Sequence, residues 1–297
     1  MKLKDIKDVL TYASFRPEPD DGTAGWVRRF PKAKTLLLNV NKSGASWIGL
    51  EKGSEFTEPG AADGTLKEVA TQAGEEWKAL ADDGWCAVSL STRYVISLEA
   101  NLSRKKGSED QIRSNPKAAL GAKAERGKRY AVRHNPQSNT SVLLAVEEDG
   151  VTKIETVLKE FGMGAGRIAC GTFAQLSELI DQVAEARRVQ AEKNPDVGLG
   201  SVVMVTCCQG SVCALTQEED SWTELRSRTD LYDGDDMEPV VGIVLPLIEN
   251  AGAGCHVVFM SDQPGSTFPG LLQQKMPSAR ISDVTVDNQL WKLLADL

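Results

Sequence analysis

The sequence holds 297 residues, 41% hydrophobic and 26% charged, with a net charge of −8 and a pI near 5.1. That length suits about two domains with a buried core, and the acidity excludes the whole chain as a general nucleic-acid binder. The longest apolar stretch, Pro239 to Ile248, is ten residues, well short of the roughly 20 that a spanning helix needs.

The first 34 residues are weakly patterned and read as a lead-in; Met1-Lys2-Leu3-Lys4-Asp5 lacks the apolar stretch of a signal peptide. Thr35 to Val40 predicts a strand, Lys42-Ser43-Gly44 a tight turn, and Ala45 to Glu51 a returning strand. Leu66, Val69, Ala70, Ala73, Trp77 and Leu80 recur at helical spacing behind a Thr65/Glu68 capping box. Trp85 to Leu90 and Tyr94 to Leu98 read as strands. Residues 103–134 carry ten positive and three negative side chains, and read as an inserted, less regular, solvated basic region with His134 at its end. Val142 to Glu147 and Ile168 to Cys170 read as strands. Helices are expected through Ile154 to Phe161 and from Phe173 to Ala184, and a linker over 186–200.

The second half repeats the opening theme. Val202 to Cys207 and Ser211 to Thr216 read as strands around Gln209-Gly210, with a third at Trp222 to Arg228. Met237 to Ile248 reads as a helix that Pro246 would kink. Cys255 to Met260 reads as a strand, followed by a Gly/Pro loop, a helix from Phe268, a strand near Ala279 to Val284 and a last helix through Leu290, Leu293 and Leu294. The six cysteines fall mostly in the apolar runs, as buried free thiols of a reducing compartment would. There is no C-x-x-C pair and only two histidines, His134 and His256, so no zinc site is expected. Cys207-Cys208 is better read as buried strand than as a nucleophile pair.

Two strand–turn–strand units, each opening a half, then a late apolar strand, a Gly-containing loop and a helix resemble the actin-like ATPase superfamily. Within it the order is most similar to the pilus-assembly protein PilM and the cytoplasmic part of the secretion protein GspL. The resemblance covers about residues 35–290 and implies an α/β, ribonuclease H-like, two-lobed fold with mixed sheets flanked by helices. It implies a first half over 35–185 with the basic insert, and a second over 201–297. In such a fold two hairpins place backbone N–H groups around phosphates while nearby carboxylates hold Mg²⁺ through water.

The same resemblance shows where the loops depart. Where the family has Asp and Gly in the first hairpin, this chain has Asn39 and Asn41, followed by Lys42-Ser43-Gly44. In the second, Thr206 and Cys208 replace Asp and Gly, ahead of Gly210-Ser211. The late loop keeps Gly265-Ser266 and then Phe268-Pro269-Gly270-Leu271. These positions outline a degenerate nucleotide pocket with no catalytic residue, no metal and no bound cofactor. The resemblance then implies a non-catalytic cytoplasmic adaptor at the inner membrane face of a type IV pilus or type II secretion-like system. It would bind the tail of a membrane-anchored protein, or an anionic membrane surface, with Lys105, Lys106, Lys128 and Arg129 as contacts, and would not bind nucleic acid. A GspL-like chain would continue past Leu297 into a membrane helix. The alternative is an ATPase or small-molecule kinase of the superfamily that uses ATP and Mg²⁺. A Rossmann-type enzyme would need a Gly-x-Gly-x-x-Gly turn after the first strand, which Val40-Asn41-Lys42-Ser43-Gly44 does not supply.

Overall fold

A computed structural model describes residues 18–19, 34–51, 55–81, 84–91, 93–102, 108–193, 200–252 and 254–295. Most of the lead-in, Lys105, Lys106 and the 194–199 part of the expected linker lie outside the described residues.

Strands β1 (Glu18–Pro19), β2 (Thr35–Val40), β3 (Gly44–Leu50), β4 (Gly60–Asp63), β5 (Trp85–Leu90) and β9 (Gly164–Cys170) form a six-stranded sheet in the order β1-β9-β5-β2-β3-β4. Strands β10 (Val202–Cys208), β11 (Ser211–Glu218), β12 (Ser221–Arg228), β13 (His256–Ser261) and β14 (Arg280–Asp283) form a second sheet, ordered β12-β11-β10-β13-β14. Leaving β1 aside, the two orders coincide. Each sheet is built around its first strand, which pairs antiparallel with the next strand and parallel with a later one. The reason is visible in the residues. Thr-Leu-Leu-Leu-Asn-Val and Val-Val-Met-Val-Thr-Cys-Cys are buried at every position, as strands covered on both faces must be.

One face of the first sheet is covered by helices α1 (Leu66–Ala79) and α4 (Glu148–Glu160). Helix α1 starts on the expected capping box: the Glu68 N–H donates to Thr65 Oγ1, and Thr65 N–H donates to Glu68 Oε2 at 2.7 Å. Its face of Val69, Ala70, Ala73 and Trp77 packs on the sheet, with Trp77 edge-on to Trp47 at 5.5 Å. The other face is covered by the C-terminal helix α8 (Gln289–Ala295), through Leu290 and Leu294 against Leu37 and Ile48. The buried guanidinium of Arg167 holds it there by donating to the carbonyls of Leu293 and Leu294 at 2.8 and 3.0 Å. Helix α5 (Gly171–Lys193) lies on the second sheet, whose opposite face carries α6 (Glu238–Ala251) and α7 (Phe268–Lys275). Helix α6 runs on through Pro246. No helix among the described residues is long and apolar enough to cross a membrane.

The basic region differs from expectation. Its described part is regular: helices α2 (Ser108–Ser114) and α3 (Pro116–Leu120), a 3₁₀ turn at Gly121–Lys123, and strand β7 (Lys128–His134). With β6 (Tyr94–Ala100) and β8 (Thr140–Glu147), β7 makes an antiparallel sheet ordered β6-β8-β7. Tyr130 and Val132 bury one face of that sheet against α2 and α3, through Ile112 and Leu120. Five of its positive charges are partnered. Lys123 pairs with Glu99, Lys128 with Glu147, Arg133 with Asp181, and Arg113 with Asp110. Arg129 holds two carboxylates at once, Glu148 at 2.7 Å and Glu155 at 2.7 Å. His134 is half-buried, its ring within hydrogen-bond reach of Ser108 Oγ and Ser141 Oγ. The expected linker is also shorter, because α5 continues to Lys193.

Candidate functional site

The two hairpin tips face each other across one open cleft of about 890 Å³. Asn41, Lys42 and Ser43 line it from the first sheet and Gln209 and Gly210 from the second. The loop 230–236 after β12 and residues 261–264 after β13, with Ser266, complete it.

The backbone of each tip is closed by protein groups. In the first, Asn41 Oδ1 accepts hydrogen bonds from the Ser43 N–H at 2.9 Å and the Gly44 N–H at 2.6 Å, and the Asn41 N–H donates to the Gly44 carbonyl at 3.0 Å. This is an Asx turn, in which a side-chain amide takes the place of an external acceptor. The second tip is a two-residue turn, with Gln209 and Gly210 at φ of 46° and 76°, the mirror-image geometry favoured between twisted strands. The Gln209 N–H donates to Asp262 Oδ2 at 3.2 Å. The amides of Ser43, Gly44 and Gln209 already have acceptors within the protein.

Five of the expected pocket positions line the cleft: Asn41, Lys42, Ser43, Gly210 and Ser266. Six do not. Asn39 is buried in β2, its Nδ2 donating to Ser46 Oγ at 3.3 Å. Thr206 is fully buried in β10 and donates to the Thr172 carbonyl at 3.2 Å, near the start of α5. Ser211 is buried in β11. Gly44 is needed for sheet pairing, since a Cβ there would collide with the Ala62 carbonyl of β4. Cys208 is buried between the lobes, where a Cβ on Gly171 would come within 2.5 Å of its Sγ. Gly265 turns the late loop with a φ of 82°. The side chains at 39, 206 and 208 thus act as packing beneath the cleft. Burial raises the pKa of both Cys207 and Cys208 well above the usual thiol value, so neither is an activated nucleophile.

Sequence reading missed the acidic wall. Asp230, Asp233, Asp235, Asp236 and Asp262 line the cleft, and Lys42 is the one basic residue among its lining groups. Lys42 itself spans the cleft to Asp230 at 3.3 Å, with both side chains largely exposed. Asp262 is half-buried; desolvation raises its pKa, and its bond from Gln209 lowers it again in part. Nothing local in the sequence places Asp230 opposite Lys42, 188 positions away. Among the described residues no group of three or more His, Cys, Asp or Glu side chains is arranged to hold a metal ion.

Comparison with solved structures identifies the fold. A protein of Bacteroides thetaiotaomicron described as having an actin-like ATPase fold and unknown function superposes with a TM-score of 0.52 at 10% identity, covering 90% of this chain and 97% of its own. The chain has the actin-like ATPase fold. The PilM–PilN type IV pilus biogenesis complex gives a TM-score of 0.51 at 12% identity, covering 89% of this chain and 97% of the matched one. The cytoplasmic domain of EpsL, an inner membrane component of the type II secretion system of Vibrio cholerae, gives 0.48 at 12%, covering 88% and 94%. No protein-family model matches the sequence, and no curated protein matches it significantly.

Proposed function

We propose that this chain is a non-catalytic adaptor on an actin-like scaffold, serving a membrane-anchored assembly of the type IV pilus or type II secretion kind by binding a partner's cytoplasmic tail. The observation that carries this reading is the state of the two hairpins. The tip amides of Ser43, Gly44 and Gln209 are taken up by Asn41 and Asp262, and the cleft between the tips is lined by five carboxylates and one lysine already paired to one of them. A unit-charge pair 4 Å apart at an effective dielectric of 20 interacts by about 4 kcal/mol. Salt screens the exposed aspartates, but their sign is unfavourable for a polyphosphate without its Mg²⁺. The overall likeness to PilM in its complex with PilN supports the assembly role. Lys128 and Arg129 are internally paired, so a tail that used them would have to compete with Glu147, Glu148 and Glu155.

A second reading is favoured by Asp262. It supplies a carboxylate beside the second hairpin, and the cleft is of a size that small-molecule sites commonly have. That reading is a nucleotide-binding ATPase or small-molecule kinase using Mg²⁺. Titration calorimetry with Mg²⁺-ATP separates the two. The adaptor reading expects no affinity tighter than about 1 mM and no hydrolysis, together with retention of a membrane protein in a pull-down from detergent-solubilised membranes. Micromolar affinity with turnover abolished by Lys42→Ala would overturn it in favour of the kinase-like reading.

A further inference from the structure

A second cavity, of about 490 Å³, opens on the second sheet at the end opposite the cleft. The cleft is built from the turn after β10 and the end of β13, whereas this cavity is built from the first residues of β10, β13 and β14 and the C-terminal half of α5. Val183, Val202, Val258 and Val284 supply an apolar wall. Arg187, Arg280, His256 and Ser282 supply the polar one, and among the described residues no aspartate or glutamate lines it. In a chain of net charge −8 that lining stands out.

Among the described residues neither guanidinium group has an ion-pair partner. Arg187 is 5% exposed; it donates to the carbonyls of Glu219 and Gly200, and its Nε has no hydrogen-bond partner. No carboxylate lies within ion-pair distance of it among the described residues, and Asp220 acts on it only at longer range. Arg280 is exposed, has no ion pair among the described residues, and sits in register beside His256, whose Nε2 lies 2.8 Å from Ser282 Oγ. A buried cation without a counter-ion costs several kcal/mol, so an anion entering here would relieve a standing penalty. The valine wall would at the same time accept an apolar body.

We infer that this cavity is a binding site for a small amphiphilic anion, a hydrocarbon or aromatic body carrying one carboxylate or phosphate. The head lies between Arg280 and Arg187, within reach of the His256–Ser282 pair, and the body lies along Val183 and Val258. The site is separate from the hairpin cleft and does not depend on the function proposed for it.

The test is calorimetry on the full chain with octanoate and phenyl phosphate as probes, and acetate and inorganic phosphate as controls without an apolar body. Saturable binding of at least one probe is expected, and the better of the two identifies the head group. Arg280→Ala, at an exposed position, should weaken it roughly tenfold, the scale of one charge-assisted hydrogen bond. Arg280→Lys should restore part of the loss. Ala186→Phe, on the exposed flank of α5, should fill the cavity and abolish binding without unfolding the chain. Lys42→Ala should leave it unchanged. Absence of saturable probe binding, equal binding of the controls, or binding indifferent to both Arg280→Ala and Ala186→Phe would each overturn the assignment.

Discussion

Replacing Arg129 with alanine decides whether the basic segment is architecture or a binding patch. The guanidinium makes four charge-assisted hydrogen bonds: Nε and Nη2 to Glu148, both at 2.7 Å, and Nη1 and Nη2 to Glu155 at 2.7 and 2.8 Å. Side-chain exposures are 16% for Arg129, 20% for Glu155 and 39% for Glu148. Exposed pairs contribute about 0–1 kcal/mol, and breaking a buried one costs about 3–5. The intermediate burial here places the loss at about 2–3 kcal/mol, which in a chain of this length lowers the melting temperature by about 3–5 °C. Part of this loss depends on pH. The hydrogen bonds from Arg129 hold the Glu148 carboxyl below its usual value. A depressed carboxylate stabilises the fold above its unfolded pKa and loses that contribution as pH falls through the folded value. The gap between wild type and variant should therefore be full at pH 7 and narrow below about pH 4. Thermal melts across that range give the answer, alongside liposome sedimentation and a partner pull-down. An Arg129→Ala protein that melts with wild type at pH 7 but loses lipid or partner binding would refute the architectural reading and restore the patch.

Asn41→Gly should lower stability by about 1–2 kcal/mol by removing the acceptor inside the turn, while Asn41→Asp, which keeps an acceptor, should stay near wild type; urea midpoints compare them. Gly171→Ala should destabilise by about 1–3 kcal/mol by overpacking against Cys208, and Cys208→Ala in the same chain should recover part of that loss in a double-mutant cycle.

How much the sequence revealed follows from how local each signal was. The two opening hairpins were legible because their apolar runs and turn residues sit side by side in the chain. Strand β4 was not, since Gly-Ala-Ala-Asp has little strand preference. It pairs because Gly44 and Gly60 let backbone and the Trp47 ring approach closely. Strand β7 was hidden under its own charges, whose partners Glu147, Glu148, Glu155 and Asp181 all lie later in the chain. The substituted positions 39, 206 and 208 could be named by resemblance, but only packing shows that they fill space beneath the cleft. Asp262 escaped notice because its partner, Gln209, is 53 positions away.

The placing of α8 bears on how the chain assembles. The lower face of the first-lobe sheet is covered by residues 289–295, and the Arg167 side chain waits for carbonyls 127 positions further on. During synthesis, Leu37, Ile48 and Ala87 therefore remain uncovered until nearly the whole described chain has left the ribosome. Such a domain closes late and through distant contacts, which makes folding slow and leaves an apolar sheet face open to misassociation in the interval.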